Sequence, residues 1–210
     1  MDATTTTRVK ALLEITPAST THDAVLDALI DTVSQRIENF IDRPIEALAR
    51  TEEYDIKPRQ KVLFLRAYPL TAQGDIASIK IATDWDFAAA TAVTSTDYHV
   101  DLVTGAIHFN FYPLTNYLGN NMATAPNVVQ VVYTGGFTAT ADGTAQFITD
   151  YPAIAYAAET QVIAMWRRRD EPMTKTTKIG DYGSTVEGPV KFLPDVIEAL
   201  IPYRRQRFGQ

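Results

Sequence analysis

Cysteine is absent from the 210-residue chain, which excludes disulfides, thiolate metal sites and cysteine nucleophiles and fits a reducing cytoplasm. Histidine is scarce, with only His22, His99 and His108, so a zinc site would need those three together with carboxylates. No apolar run approaches the ~20 residues of a membrane helix. The start, Met1-Asp2-Ala3-Thr4, has neither the basic residues nor the apolar stretch of a secretory leader, so a soluble protein is expected. Positive charge is short as well: 19 Lys and Arg face 25 Asp and Glu, a net of −6. Chains that mainly grip a phosphate backbone carry the opposite surplus. The glycine-rich P-loop signature, the nucleophile-elbow serine motif and the two-histidine zincin motif are all missing.

What is present is an ordinary folded composition, 46% hydrophobic and 21% charged, long enough for a buried core in one domain, or one domain with extended arms. The acidity is uneven. Residues 1–150 carry 10 Lys and Arg against 18 Asp and Glu, whereas residues 151–210 carry 9 against 7.

Hydrophobic periodicity orders the chain. A short helix is expected from about Thr7 to Leu13, broken at Thr16-Pro17 because a residue before proline leaves the helical region. Val25, Leu26, Leu29, Ile30, Val33, Ile37, Phe40 and Ile41 recur at spacings of three and four, one apolar stripe on a helix from about His22 to Asp42. Thr20 and Asp23 fit a capping pair, and Pro44 is the expected stop. The middle reads as β: Lys61–Leu65, Ile76–Ile81, Tyr98–Asp101, Ala106–Phe111 and Asn127–Tyr133, with a hairpin turn at Thr104-Gly105. Small-residue loops are expected at Ala88–Thr96 and Asn116–Pro126. Helix returns after Pro152, with Ile154, Ala155, Ala158, Val162, Met165 and Trp166 on one face and Arg167–Arg169 opposing the helix dipole at its end. A polar stretch, Met173–Pro189, precedes a last helix opened by Pro194, with Val196, Ile197, Leu200 and Ile201 apolar and Pro202 kinking it or ending it early. The fold class expected is α+β, a small helical bundle with an inserted antiparallel sheet or hairpin module. Its segments are N-terminal helices in 1–50, the β module in 51–150, and C-terminal helices with a loop and an arm in 151–210.

Candidate chemistry is thin. His99 and His108 meet across the expected hairpin, and His108 has Asp101 as a second possible neighbour; a polar cross-strand pair accounts for them as well as a metal site or a small hydrolase pocket does. The acid pairs Glu52/Glu53 and Asp84/Asp86 read as solvated surface rather than general acid–base pairs. The cations Arg167–Arg169, Lys175, Lys178, Arg204, Arg205 and Arg207 gather in the last quarter of the chain. Arginines interleaved with aromatics, as in Tyr203-Arg204-Arg205-Gln206-Arg207-Phe208, are enriched at protein interfaces and also suit nucleic-acid backbone. The alternative they leave open is a DNA-binding packaging accessory protein.

The order of these pieces resembles the head–tail adaptor (connector) proteins of tailed phages and gene transfer agents. The residues that carry the resemblance are Arg36-Ile37-Glu38-Asn39-Phe40-Ile41-Asp42-Arg43-Pro44 at the end of the long helix, and Tyr98-His99-Val100-Asp101 followed by Thr104-Gly105-Ala106-Ile107. With them go Val131-Val132-Tyr133-Thr134-Gly135-Gly136-Phe137 ahead of the Pro152 helix, and Ile179-Gly180-Asp181-Tyr182-Gly183-Ser184 before the last helix. The β region over 84–126 is longer than in compact members.

The resemblance implies a virion neck protein, synthesised in the host cytoplasm, that forms a dodecameric ring with itself under the portal protein. A distal stopper or tail-terminator protein binds the other face, and double-stranded DNA passes through the bore without sequence-specific binding. It implies no catalytic residue, metal, cofactor or membrane contact. By position, the portal-facing residues are Phe192, Ile197, Leu200, Ile201, Tyr203, Arg204, Arg205, Arg207 and Phe208. The loop and ring-contact residues are Lys175, Lys178, Ile179, Asp181 and Tyr182. An acidic body suits a channel that DNA slides through, since like charges do not hold it.

Overall fold

The computed structural model describes residues 1–57, 59–82, 86–90, 92–113, 125–139, 143–169 and 191–205. It is an α+β protein of two compact units. The chain leaves the helical unit after Ile45, forms the β unit from Glu46 to Ala141, and returns at Asp142.

The helical unit holds α1 (Thr6–Leu12), α2 (Asp23–Ile41), α3 (Gly143–Asp150), α4 (Pro152–Arg168) and α5 (Pro194–Leu200), with a 3-10 turn at Ile201–Tyr203. The expected stripe of α2 is buried at Leu26, Ile30, Val33, Ile37 and Ile41, while Val25 is 48% exposed. It packs against α4, whose own expected face is buried at Ile154, Ala155, Ala158 and Val162. Alanines at Ala155, Ala157 and Ala158, all fully packed, let neighbouring helices approach closely.

The ends of α2 differ from expectation. Thr20 offers only its carbonyl, which accepts the Asp23 N–H at 3.2 Å, and no side chain caps the helix. The Asp23 carboxylate pairs instead with Lys10, an ammonium only 4% exposed; a buried cation that lost its counter-charge would cost far more than an unfilled cap. The helix ends at Asp42 in the left-handed region (φ 56°), with the Arg43 N–H closing on the Glu38 carbonyl, two residues ahead of Pro44.

The β unit contains two sheets. In the larger, the order is β3 (Ile76–Ile81), β6 (Ala125–Gly135), β1 (Glu46–Ile56), β7 (Thr138–Ala139), antiparallel except for the short parallel β1–β7 pair. In the smaller, the order is β2 (Val62–Phe64), β5 (Ala106–Phe109), β4 (Tyr98–Asp101), all antiparallel. One apolar cluster, including Ile56, Leu63, Ile79, Ile107, Phe109, Val129, Val131 and Tyr133, draws on both sheets. The long strand β1 was not expected. Its Glu46-Ala47-Leu48-Ala49-Arg50 start favours helix by propensity, and pairing with β6 over Leu48–Tyr54 overrides that. Gly136, at φ 148°, lets the chain turn from β6 into β7: a Cβ there would stand 2.6 Å from the Glu46 carbonyl oxygen.

Candidate functional site

The expected arm, as far as Arg205, is sewn onto the C-terminal end of α2. The Leu193 N–H donates to the buried Gln161 Oε1 at 3.1 Å. Phe192 stands edge-on to Phe40, centroids 5.7 Å apart, with the Arg36 guanidinium 5.2 Å over its ring. Arg204 lies 5.7 Å over the Phe40 ring. The Arg43 Nη1 donates to the Tyr203 carbonyl at 3.0 Å, and the Tyr203 ring meets Tyr151 edge-on at 6.4 Å. The Arg205 N–H donates at 2.8 Å to the Ile41 carbonyl, one of the acceptors a helix end leaves unsatisfied, while its guanidinium sits 3.8 Å from Asp42.

This layer of arginines on aromatics gathers α2, α3, α4 and the arm. Burial pushes the Tyr151 hydroxyl up from its ordinary pKa, the Asp150 carboxylate adds to that, and Arg43 opposes it.

Within this arrangement the candidate residues divide by exposure. Leu200 is fully buried and Ile197 half-buried, so both serve the chain's own packing. Phe192 and Tyr203 are half-buried in the layer. Ile201 is 58% exposed and Arg204 is exposed, which leaves a hydrophobe and a cation on the outside. Arg207 and Phe208, together with Lys175, Lys178, Ile179, Asp181 and Tyr182, lie outside the described residues. Arg36, Arg43 and Tyr151 hold the arm in place; the sequence marked Arg36 and Arg43 only within the stretch that carries the resemblance, and Tyr151 carried no signal.

A second pinned region lies at the start of the chain. Glu159, only 4% exposed, accepts from Arg8 Nε at 2.6 Å and from the Thr4 hydroxyl at 3.0 Å. Lys10 Nζ donates to the Ser19 carbonyl at 2.7 Å and is paired with Asp23.

The remaining sequence candidates resolve as turn and sheet chemistry. His99 pairs with His108 across β4 and β5, both exposed, and Asp101 stands opposite Ala106 rather than His108. The Asp101 carboxylate is occupied by its own turn, accepting from the Val103 N–H at 3.0 Å and the Thr104 hydroxyl at 2.7 Å. That hydroxyl holds it below the usual carboxylate pKa. Among the described residues no three His, Asp or Glu side chains cluster as a metal site.

Glu52 is not free surface. It accepts from the hydroxyls of Tyr54 and Tyr133, the latter at 2.8 Å, and Tyr133 in turn accepts the Ala67 N–H at 2.9 Å. Burial, with Tyr133 and Glu52 beside it, pushes the Tyr54 hydroxyl well above the tyrosine range, and burial does the same to Tyr133. Glu53 is exposed, Asp86 caps the Ala88 N–H, and Asp84 lies outside the described residues.

No family model and no curated protein matches the sequence. Solved structures do match the fold. A chain from the neck of an empty gene transfer agent particle, computed with C6 symmetry, superposes with a TM-score of 0.57 at 13% identity, covering 96% of this chain and 89% of that one. This chain shares the fold of a protein in gene transfer agent necks. A chain from the neck of a native particle, computed with C12 symmetry, gives 0.54 at 13% identity over 89% of this chain and 85% of that one. A chain from the virion of a native particle gives 0.51 at 14% identity over 91% and 82%. These likenesses span both units of the chain.

Proposed function

We propose that the protein is a structural head–tail adaptor of a tailed phage or phage-like particle. Copies form a ring, twelve in number, under the portal protein; a distal neck protein joins the other face and DNA passes through the bore. The observation that carries the reading is the fold shared over 96% of the chain with a neck protein. The symmetry of the native-particle neck, C12, supports the copy number. The net charge of −6 suits a bore that does not retain DNA. The function needs no catalytic residue: closure of identical head-to-tail contacts multiplies many modest interfaces into a stable assembly.

The arm supplies the portal contact through the outward side chains Ile201 and Arg204, while Val196 and Leu200 hold it to the bundle. The test is the mass of the protein by light scattering, alone and with its portal. Expected is a ring, or a monomer that joins the portal in matching stoichiometry. The variant Ile201→Asp should lose portal binding yet keep its helical signal, because that side chain is 58% exposed; Arg204 is left in place, since it also covers the Phe40 ring. Removal of residues 192–210 would be a poor test, since it takes the buried Val196 and Leu200 as well. A protein that stays monomeric and ignores the portal at every salt concentration overturns the proposal.

A further inference from the structure

Each unit carries a surface feature of use to a partner. On the helical unit, Leu12, Tyr156, Thr160, Ile163, Ala164 and Leu193 line a groove of about 350 Å³. Two of its hydrophobes are open to water, Leu12 at 51% and Tyr156 at 61% exposure, and Ile163, Ala164 and Leu193 are half-buried. Glu159 borders it, but that carboxylate is committed to Arg8 and Thr4. Arg167, exposed at the end of α4, also lines it and supplies a cation at its rim.

On the β unit, the tip of the β4–β5 hairpin presents Val103, which at 73% is the most exposed large hydrophobe among the described residues. Its presentation is rigid. Asp101 takes the Val103 N–H and the Thr104 hydroxyl, and the Asp101 carbonyl takes the Gly105 N–H at 2.9 Å. Gly105 (φ 66°) lets the tip seat on Tyr68, where a Cβ would stand 2.9 Å from the Tyr68 Cβ. A valine held in water by this many fixed bonds loses little conformational freedom on docking, which favours binding.

From these two features we infer that the Val103 hairpin tip of one copy docks into the Leu12–Tyr156–Ile163 groove of a second copy. This rests on the ring reading and names its contact. Shape agrees, because a short apolar tip meets an apolar groove of modest size. Charge agrees, because Asp101 beside the tip is bonded only to neutral donors of its own turn and keeps its negative charge for Arg167 at the groove, whereas Glu159 is already neutralised by Arg8. The pairing is head-to-tail, since tip and groove are different surfaces of one chain, and such contacts propagate until they close. The tip is one anchor in a larger face, because stable interfaces bury roughly 800 Å² per partner.

The natural absence of cysteine makes the test clean. Val103→Cys and Ile163→Cys are placed together in the full chain and oxidised under conditions where light scattering reports the assembly of the unmodified protein. Expected is a covalent series of dimer, trimer and higher species, absent from either single variant and from a Ser95→Cys/Ile163→Cys control. Independently, Val103→Asp should weaken self-association roughly tenfold or more, as loss of an interface anchor does. Assembly without the covalent series overturns this contact and leaves the ring intact. Neither assembly nor the series overturns both. A bond formed within a single chain, or an Ile163→Cys thiol shielded from maleimide in the isolated monomer, means the chain fills its own groove and overturns the second copy as occupant.

Discussion

Tyr133→Phe is a one-oxygen deletion whose cost can be worked from the structure. Tyr133 is 1% exposed, and phenylalanine keeps the ring, so no cavity opens. Two bonds disappear. The Ala67 N–H, in a residue 1% exposed, loses its acceptor at 2.9 Å; a buried donor left unpaired costs about 1–3 kcal/mol. Glu52 loses a donor at 2.8 Å but keeps Tyr54, and it is only half-buried, so water recovers part of that and about 0.5–1 kcal/mol remains. The expected destabilisation is about 1.5–4 kcal/mol, a urea midpoint lower by about 1–2 M at unchanged slope. Because the chain has two units and need not unfold in one step, the decisive readout is local: hydrogen exchange at the Ala67 amide should accelerate before amides of α2 and α4 do. Tyr54→Phe is the comparison. Its hydroxyl accepts the N–H of the exposed Arg66, which water can satisfy, and donates to Glu52, which keeps Tyr133, so a loss of only about 0.5–1 kcal/mol is expected. If Tyr133→Phe costs no more than Tyr54→Phe, or leaves Ala67 exchange unchanged, the reasoning is wrong.

The same tyrosines set an alkaline limit. Both folded-state pKa values lie above the ordinary tyrosine value of 10.0, so the folded state holds those protons more tightly. Their stabilisation is complete below about pH 10 and drains away as pH rises above it; absorbance at the phenolate band should show Tyr54 and Tyr133 ionising only with unfolding of the β unit. Gly136→Ala should cost at least about 2 kcal/mol, because the added Cβ meets Glu46 and Ala47 backbone within 2.7 Å, and amide exchange along Glu46–Ala47 would report the loss of the β7 pairing. Leu200→Ala should cost about 2–5 kcal/mol while the neighbouring Ile201→Ala stays within about 0.5 kcal/mol, since one side chain is fully buried and the other 58% exposed; equal effects in thermal unfolding would contradict the placement of the arm.

Local chemistry carried a good part of this protein in the sequence alone. The α2 stripe, the Pro152 and Pro194 helix starts, the strand Ile76–Ile81 and the hairpin around Thr104-Gly105 all rest on spacing or on a residue with a forced backbone, and such signals act within a few residues. The α+β class followed from them. Where the signal is long-range, the sequence was silent. Strand β1 has helix-favouring residues and becomes a strand only because β6 lies beside it. Asp23 looked like half of a capping pair until the fold brought Lys10 to it. Glu52 looked solvated until Tyr133, 81 positions away, donated to it. Glu159 is buried safely only because Arg8, 151 positions away, supplies the opposing charge. Likewise, the split of the arm between buried Leu200 and exposed Ile201 depends on which side of α5 meets the bundle. Periodicity says that a helix has an apolar face; only packing decides which of its apolar residues are spent on the core and which remain to meet a partner.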